Sequence, residues 1–216
     1  MKIVKIWNDN PSDRQLNEIV RDLDNGCIVI YPTDTLYAIG CDALNVKAID
    51  KICKLKNINP EKTNLSIICS DISQASEYVR CDDKSFRLLK DNTPGPFTFL
   101  FKASSSLPKA FKGRKVVGVR IPDNNTVSQI VKQLGRPILT TSIEFIDEDY
   151  ARNVELITET YYDKVDVVID GGDGGLVPST IVDCTENIPE IIREGKGVLK
   201  ELLKILLNCG FFSVIL

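Results

Sequence analysis

The chain has 216 residues, of which 43% are hydrophobic and 26% are charged, and its formal net charge is −3. This balance is typical of a soluble globular protein and excludes a disordered chain, a collagen-like repeat and a disulfide scaffold. The chain contains no histidine, which excludes Ser-His-Asp triads, Cys-His nucleophile pairs and histidine-ligated metal sites. Acid–base chemistry is therefore left to other side chains, the substrate or water.

Seven cysteines are present, and none forms a Cys-x-x-Cys pair. Several lie inside apolar runs, so we expect free thiols in a reducing cytoplasm. The N-terminal residues lack the apolar region of a signal peptide. Residues 205–216 are uncharged and mostly apolar, but they are fewer than the roughly 20 residues that a spanning helix needs. We predict a domain over residues 10–200, followed by a segment over 201–216 that docks on it or at a homodimer interface.

Hydrophobic periodicity predicts helices alternating with strands. Leu16, Ile19 and Leu23 share one face of a helix that ends at Asn25-Gly26, and a second helix runs from Val46 to Lys56 behind Asn45 as its cap. A third helix covers residues 126–134. Strands are predicted at residues 27–31, 65–69, 97–101, 116–120 and 165–169. The alternation indicates one α/β domain with a mixed, twisted sheet.

Polar residues directly follow the first of these strands. Thr33, Asp34 and Thr35 come after Tyr31-Pro32, at a strand end where ligands of open α/β sheets are bound. The alternative is a turn whose side chains satisfy their own backbone.

A basic stretch follows in the second predicted helix and the loop after it. It comprises Lys47, Lys51, Lys54, Lys56 and Lys62. Such a run is either a solvated helix face, helped by the helix dipole at its C-terminal end, or a phosphate-binding surface.

Two later strands also end in polar residues. Arg120 closes one, and Thr140-Thr141-Ser142 closes another. An Arg that ends a buried strand needs a partner, which is either a substrate carboxylate or phosphate, or an internal carboxylate such as Asp34 or Asp183. A substrate carboxylate would be held by two parallel hydrogen bonds.

The glycine-rich run over residues 171–175 has neither the dinucleotide-binding nor the P-loop spacing. A flexible loop is the favoured interpretation of this run.

Taken in order, these segments resemble the YrdC/YciO-type family, the threonylcarbamoyl-AMP synthase superfamily. The resemblance rests on Tyr31-Pro32-Thr33-Asp34-Thr35 with Gly40, Lys56, Thr93-Pro94-Gly95-Pro96-Phe97-Thr98, Val119-Arg120-Ile121-Pro122, Thr140-Thr141-Ser142, Pro178-Ser179-Thr180-Ile181-Val182-Asp183 and Ile192-Arg193-Glu194-Gly195. These blocks span nearly the whole chain. The family implies a single twisted α/β domain around a concave, positively charged cavity.

The resemblance also implies a reaction. Synthases of this family join L-threonine, bicarbonate and ATP into threonylcarbamoyl-AMP and pyrophosphate, for modification of an adenosine in tRNA, with Mg²⁺ arriving on the nucleotide. The implied threonine ligands are Thr35, Arg120, Thr140 and Ser179, with Arg120 on the carboxylate. The implied ATP ligands are Lys56, Ser142 and Arg193, and Lys56 and Arg120 would be the catalytic cations. No resident metal is implied.

This sequence departs from the synthase pattern at two places. The Lys-x-Arg motif of the synthases becomes Lys56-Asn57-Ile58, and their Ser-x-Asn becomes Ser142-Ile143-Glu144. The chain looks more like the YciO-like branch in three places, namely Ile52-Cys53-Lys54-Leu55-Lys56, the block over residues 86–95, and Thr140-Thr141-Ser142 without Asn. The two departures leave open a weak synthase, a cavity for another amino acid, and a module that binds a nucleotide, tRNA or double-stranded RNA without turnover. A further basic stretch that could contact RNA phosphates comprises Lys109, Lys112, Arg114, Lys115 and Arg120.

Overall fold

The computed structural model describes residues 1–58, 65–107, 111, 115–144 and 146–200. Lys62, Lys109, Lys112, Arg114 and the segment 201–216, which the sequence analysis singled out, lie outside these residues.

The described residues form eleven strands in one sheet. The strands are β1 (Lys2–Lys5), β2 (Val29–Tyr31), β3 (Ala38–Asp42), β4 (Ser66–Ile68), β5 (Val79–Arg80), β6 (Phe97–Ala103), β7 (Val116–Arg120), β8 (Ile138–Ser142), β9 (Val167–Asp170), β10 (Thr180–Asp183) and β11 (Glu190–Arg193). The helices are α1 (Asp13–Asp24), α2 (Val46–Leu55), α3 (Ile72–Tyr78), α4 (Asp83–Asn92), α5 (Asn125–Leu134), α6 (Glu148–Arg152) and α7 (Val154–Thr160).

The sheet is mixed, as the sequence predicts. Its order is β1-β9-β2-β3-β8-β4-β7-β6-β10-β11, and β5 pairs with β6 outside this path. Four neighbouring pairs are parallel, namely β1/β9, β2/β9, β4/β7 and β6/β10. β1 lies before residue 10, so the sheet extends beyond the predicted N-terminal boundary of the domain.

Local sequence accounts for the predicted helices. The hydroxyl of Ser12 accepts a hydrogen bond from the backbone of Gln15, whose side chain reaches back to Ser12 and completes a capping box at α1. Asn45 caps α2 by accepting from the backbone N–H of Ala48. Gly135 ends α5 in the left-handed conformation with φ of 70°, which costs glycine nothing. All three helices are confirmed within a residue or two of their predicted ends.

The two faces of the sheet carry different cores. On one face, α1 and α5 pack on residues such as Tyr31, Ile68 and Ile138. The opposite face carries the larger cluster, which includes Ile39, Ile67, Leu139 and the phenylalanines of β6. Because side chains alternate along a strand, residues two positions from Ile68 and Ile138 share the face of α1 and α5. Those residues, Ser66 and Thr140, are polar and pair in register with each other, so this face becomes polar beyond the helices.

No disulfide links the cysteines in the described residues, in agreement with the expected thiols, and Cys209 lies outside them. Burial raises the pKa of the Cys81 thiol to about 11. None of the helices in the described parts of the chain has the length and hydropathy needed to cross a membrane.

Candidate active site

The four residues predicted to bind threonine converge on the polar face of the sheet. Arg120 ends β7, Thr140 lies in β8, Ser179 precedes β10, and Thr35 lies in the loop between β2 and β3. All four are buried. The loop folds over the face, so that Thr35 Oγ1 accepts a hydrogen bond of 2.9 Å from Arg120 Nη2.

Two glycines allow the chain segments around this cluster to approach each other closely. A Cβ at Gly40 would lie 2.4 Å from the carbonyl oxygen of Leu139, and one at Gly118 would lie 2.3 Å from Ser66 Oγ. Real Cβ atoms do not approach so closely, so both positions need glycine. The Tyr31 side chain crosses beside Gly40, and its hydroxyl donates to Thr140 Oγ1 at 2.8 Å.

The loop between β2 and β3 contains a chain of hydroxyl hydrogen bonds, and the donor and acceptor of each bond are fixed. Thr33 Oγ1 lies 2.7 Å from the carbonyl oxygen of Leu36 and 3.0 Å from Thr35 Oγ1. A carbonyl can only accept, so the Thr33 proton goes to Leu36. The Thr35 hydroxyl therefore donates to Thr33 and keeps only lone pairs for other partners. The turn satisfies its own backbone, as one interpretation predicted, and it also holds Arg120.

The glycine-rich run over residues 171–175 packs against the same loop. Tyr37 Oη donates to the carbonyl of Gly172 at 2.7 Å and accepts from the N–H of Gly171 at 3.1 Å. A Cβ at Gly175 would lie 1.8 Å from the carbonyl oxygen of Thr35. The sequence favours a flexible loop here, whereas the structure shows glycines whose missing side chains permit close backbone contact.

Arg120 is paired inside the protein. Its residue is only 6% exposed, and Nη2 donates to Asp34 Oδ1 at 3.1 Å as well as to Thr35. Asp34 Oδ2 accepts from the backbone N–H of Asp123 at 3.0 Å. Of the two internal carboxylates considered from the sequence, Asp34 is the one that binds Arg120.

This pairing changes the hydrogen bonds that Arg120 can offer. Both two-point forks of a guanidinium use Nη2, paired either with Nε or with Nη1. Here Nη2 is committed to Asp34 and Thr35, so the grip by two parallel hydrogen bonds that the sequence predicts is not free. Nε is buried and has no hydrogen-bond partner in the described parts of the chain. Burial also lowers the pKa of Arg120, while Asp34 opposes that effect.

Two further cations approach the same cluster from β11 and the residues after it. Arg193 Nη2 donates to the carbonyl of Ser179 at 2.7 Å and to its Oγ at 3.1 Å, and Lys196 Nζ donates to the carbonyl of Asp34 at 2.6 Å. Partial burial and the neighbouring Arg120 charge lower the pKa of Arg193. The cluster thus brings together three cations, of which Arg120 alone is paired with a carboxylate in these contacts, and this excess of positive charge favours an anionic ligand.

The residues predicted to contact ATP are less enclosed. Ser142 is exposed and lies two residues beyond Thr140, on the same face of β8. Lys56 is half-buried directly after α2, where burial lowers its pKa and the charge of Glu144 raises it. Ile58 packs against the larger core cluster. Neither Lys56 nor Ser142 makes a side-chain hydrogen bond within the described ranges.

The two predicted basic stretches differ in how exposed their side chains are. The face of α2 that carries Lys47, Lys51 and Lys54 is exposed. This exposure is compatible with a solvated helix face and with a phosphate-binding surface. In the second stretch, the prediction that Arg120 contacts RNA phosphates is wrong, because this side chain is buried against Asp34. Lys115 is exposed.

A crevice of about 540 Å³ lies beside this cluster, beyond the carboxyl ends of the parallel strands β4 and β7. Its walls include residues 69–73 and 121–125. None of the residues predicted to bind threonine or ATP lines it.

Several residues of the cluster were not assigned a role from the sequence. Tyr31 orients Thr140, Thr98 Oγ1 lies 2.8 Å from Ser179 Oγ, and Lys196 reaches the loop at Asp34. Thr98 could have been found, because a hydroxyl interrupts the apolar run of β6. The role of Lys196 depends on a contact across 162 positions of the chain and left no local signal.

The chain is similar to known proteins over most of its length. The Sua5/YciO/YrdC family model, described as "Telomere recombination", matches residues 21–195. YciO from Escherichia coli strain K12 is 35% identical over 201 residues, which cover 92% of this chain and 97% of that protein. A putative threonylcarbamoyl-AMP synthase from Methanocaldococcus jannaschii is 32% identical, with coverage of 94% and 97%.

Solved structures show the same fold. The crystal structure of E. coli YciO superposes with a TM-score of 0.85 at 34% identity, covering 93% of this chain and 98% of that one. Sua5 of P. abyssi in complex with L-threonine gives a TM-score of 0.84 at 25% identity, covering 95% of this chain and 61% of that one. The extent of the family match and the level of identity lead to one conclusion: the chain belongs to the Sua5/YciO/YrdC family.

Proposed function

We propose that this protein is a threonylcarbamoyl-AMP synthase-like enzyme that uses L-threonine, bicarbonate and ATP. The observation that carries the proposal is the cluster on one face of the sheet in which Arg120, Thr35, Thr140 and Ser179 are buried, with the exposed Arg193 bound to Ser179. Such a cluster suits the carboxylate and amine of a small amino acid. L-threonine bound to the P. abyssi relative supports the same substrate.

The chemistry needs positioning more than acid–base catalysis. The amine of threonine adds to the carbon of bicarbonate, and loss of water leaves a carbamate. A carbamate oxygen then attacks the α-phosphorus of ATP, and the bond to the β-phosphate breaks with release of pyrophosphate. Cations that hold the two anionic reactants together supply most of what this step requires, which a chain without histidine can provide.

The residues divide between the two reactants. Arg120 and Thr140 would donate to the threonine carboxylate, and Thr35, whose proton is committed to Thr33, would accept from its amine. Lys56, Ser142 and Arg193 would face the phosphates. The described residues contain no group of three carboxylate or thiol side chains suited to a metal ion, so we place Mg²⁺ on the nucleotide as part of the substrate.

A pair of variants on one strand tests the proposal. Thr140→Val removes the buried hydroxyl without changing its size, whereas Thr141→Val makes the same change on the opposite face of β8. Wild type and Thr141→Val should release pyrophosphate from ATP, Mg²⁺ and bicarbonate only when L-threonine is present, and Thr140→Val should raise the KM for threonine about tenfold. Release that is independent of threonine, or equal in both variants, would contradict the assignment.

A binding module without efficient turnover is the second candidate. It is favoured by the charge of Glu144 near Lys56 and by Ile58, which packs into the core where a synthase has an arginine. On that view the protein would bind a nucleotide or tRNA and release no pyrophosphate with any amino acid. Its RNA affinity would rest on lysine–phosphate contacts and would fall steeply between 50 and 200 mM salt.

A further inference from the structure

The crevice of about 540 Å³ lies where two neighbouring connections of the sheet diverge. Strands β4 and β7 are parallel neighbours, but the helices that follow them pack on opposite faces of the sheet. Helix α3 contributes Ala75 to the larger core cluster, whereas α5 contributes Val127 and Ile130 to the cluster on the other face. Open α/β sheets commonly bind ligands at such a point, beyond the carboxyl ends of the strands.

The walls of the crevice combine an apolar floor with a polar rim. The floor consists of the buried lining residues Cys69, Ile121 and Pro122. Hydroxyl, amide and carboxylate groups from the starts of α3 and α5 form the rim. This volume and this division of groups are typical of sites for small organic molecules, which an apolar surface holds and a few polar contacts orient.

The charge of the rim decides which head group fits. Asp71 and Asp123 line the crevice, and within the described parts of the chain no Lys or Arg does. The start of α5 is not free for an anion, because the Asp9 carboxylate already accepts from the backbone N–H of Thr126 at 2.7 Å. A phosphate or carboxylate would therefore meet negative charge here and no cation, in contrast to the cluster around Arg120.

The rim still has acceptors to offer. Asp71 already caps α3 by accepting from the backbone N–H of Gln74 at 2.8 Å. Asp123 is exposed, and its carboxylate makes no hydrogen bond or ion pair with any of the described residues. The hydroxyls of Ser73 and Ser128 are likewise without a hydrogen bond among those residues. A carboxylate flanked by hydroxyls matches a protonated amine, which has three donors and no acceptor.

We propose that this crevice is a second ligand site, which takes a small molecule with an apolar body and a protonated amine. The body covers the floor, and the amine donates to the Asp123 carboxylate and the rim hydroxyls. The inference goes beyond the proposed function and does not depend on it, because none of the residues assigned to threonine or ATP lines the crevice.

Three probes with one apolar body test the ligand class. Phenethylamine, phenylethanol and phenylpropionate carry a positive, a neutral and a negative head group. In ¹H–¹⁵N NMR of the full-length protein, phenethylamine should shift the backbone amides of residues 70–73 and 123–125. A charge pair at an exposed rim changes affinity only a few-fold, so it should bind about threefold to fivefold more tightly than phenylethanol, and phenylpropionate should bind most weakly. If phenethylamine leaves these amides unmoved, or if either other probe binds as tightly, the proposal is wrong.

Matched variants locate the contacts. Asp123→Asn should lower the affinity for phenethylamine to that for phenylethanol, whereas Asp83→Asn, which removes an exposed charge of α4 outside the crevice, should resemble wild type. Ser128→Phe fills the crevice and should abolish binding, whereas Gln129→Phe makes the same change at the next position, which does not line it. Melting temperatures show whether each variant folds. Unchanged binding by folded Asp123→Asn or Ser128→Phe would overturn the proposal.

Competition with L-threonine separates this site from the amino-acid end of the proposed active site. Excess threonine should leave the shifts caused by phenethylamine in place, whether or not the protein releases pyrophosphate with threonine. Displacement of phenethylamine by threonine would place both amines in one site and would contradict a second one. Failure of the pyrophosphate assay alone would overturn the proposed function and leave the crevice site standing.

Discussion

The amino-acid end and the nucleotide end of the candidate site are built in different ways. At the amino-acid end, Thr35, Arg120 and Thr140 are buried and hydrogen-bonded to the protein. At the nucleotide end, Lys56 is half-buried, Ser142 is exposed, and neither has a side-chain hydrogen bond within the described residues. Side chains that protein hydrogen bonds already hold in place lose little freedom when substrate binds, whereas the side chains of an open end must become ordered. The first end is therefore expected to determine stability as well as affinity, and the second mainly affinity.

The largest expected difference concerns stability. Arg120→Ala leaves the Asp34 carboxylate buried without its charged partner, and we expect a loss of about 3–5 kcal/mol in the free energy of unfolding. Lys56→Ala removes a cation whose side chain makes no hydrogen bond to the described residues, and it should change that free energy by no more than about 0.5 kcal/mol. Denaturant unfolding monitored by circular dichroism measures both. Equal losses of unfolding free energy in the two variants would show that the two ends contribute equally to stability.

A glycine behind the amino-acid end sharpens the comparison. Gly175→Ala forces a Cβ against the carbonyl of Thr35, and we expect a loss of about 1–3 kcal/mol together with a higher KM for threonine. Gly172→Ala is the control, since its φ of 87° strains the backbone but no atom lies within 4 Å of the added Cβ. A raised KM in the control as well would mean that loop strain, rather than displacement of Thr35, is responsible.

The nucleotide end should respond to added charge. Ile58→Arg combined with Glu144→Asn restores the synthase pattern, and hydrogen bonds to charged groups predict a gain of about tenfold in threonine-dependent pyrophosphate release. Ile58 packs against the core, so the melting temperature of the variant is measured alongside. An unchanged rate in a folded variant would show that the nucleotide end differs from a synthase in more than these two residues.

The smallest expected effect is a pH dependence at the nucleotide end. Burial lowers the pKa of Lys56 and Glu144 raises it, and only the protonated lysine attracts phosphate. ATP affinity should thus fall as the pH rises through the pKa of Lys56, beginning below the ordinary value for lysine. Glu144→Gln lowers this pKa further, so its affinity should fall at a lower pH than that of wild type. Calorimetric titration with ATP at a series of alkaline pH values measures where the affinity of each protein falls. A fall at a higher pH in Glu144→Gln than in wild type would show that Glu144 does not raise the pKa of Lys56.

Much of the fold was predictable because local chemistry and tertiary structure agree. The predicted strand over residues 116–120 is β7, and the Asn45 cap begins α2 as expected. β3 was not predicted as a strand, because Gly40 and Asp42 are poor strand formers. Its pairing with β2 and β8 stabilises it nonetheless. β11 was not predicted either, because its sequence Glu190-Ile191-Ile192-Arg193 does not alternate between apolar and polar residues.

The site was predictable in its residue types but not in its connections. Polar residues at strand ends identified Thr35, Arg120 and Thr140, because a core has no use for them. That Nη2 of Arg120 binds inside the protein depends on a contact with Asp34, 86 positions away. The packing of residues 171–175 likewise depends on Tyr37, which lies in the loop between β2 and β3, 135 positions from Gly172. Such contacts follow from the topology of the sheet and leave no pattern in a local window.

The fixed direction of the hydroxyl protons also limits which compounds can enter the amino-acid end. A freely rotating hydroxyl serves donors and acceptors alike, but Thr35 has only lone pairs to offer, and Thr140, which accepts from Tyr31, has its own proton to give. These groups match the free amine and the free carboxylate of the proposed substrate. An amino-acid amide offers one acceptor oxygen where a carboxylate offers two, and it adds an N–H₂ donor. Under the proposed function, we therefore expect amidated amino acids to bind more weakly than free ones.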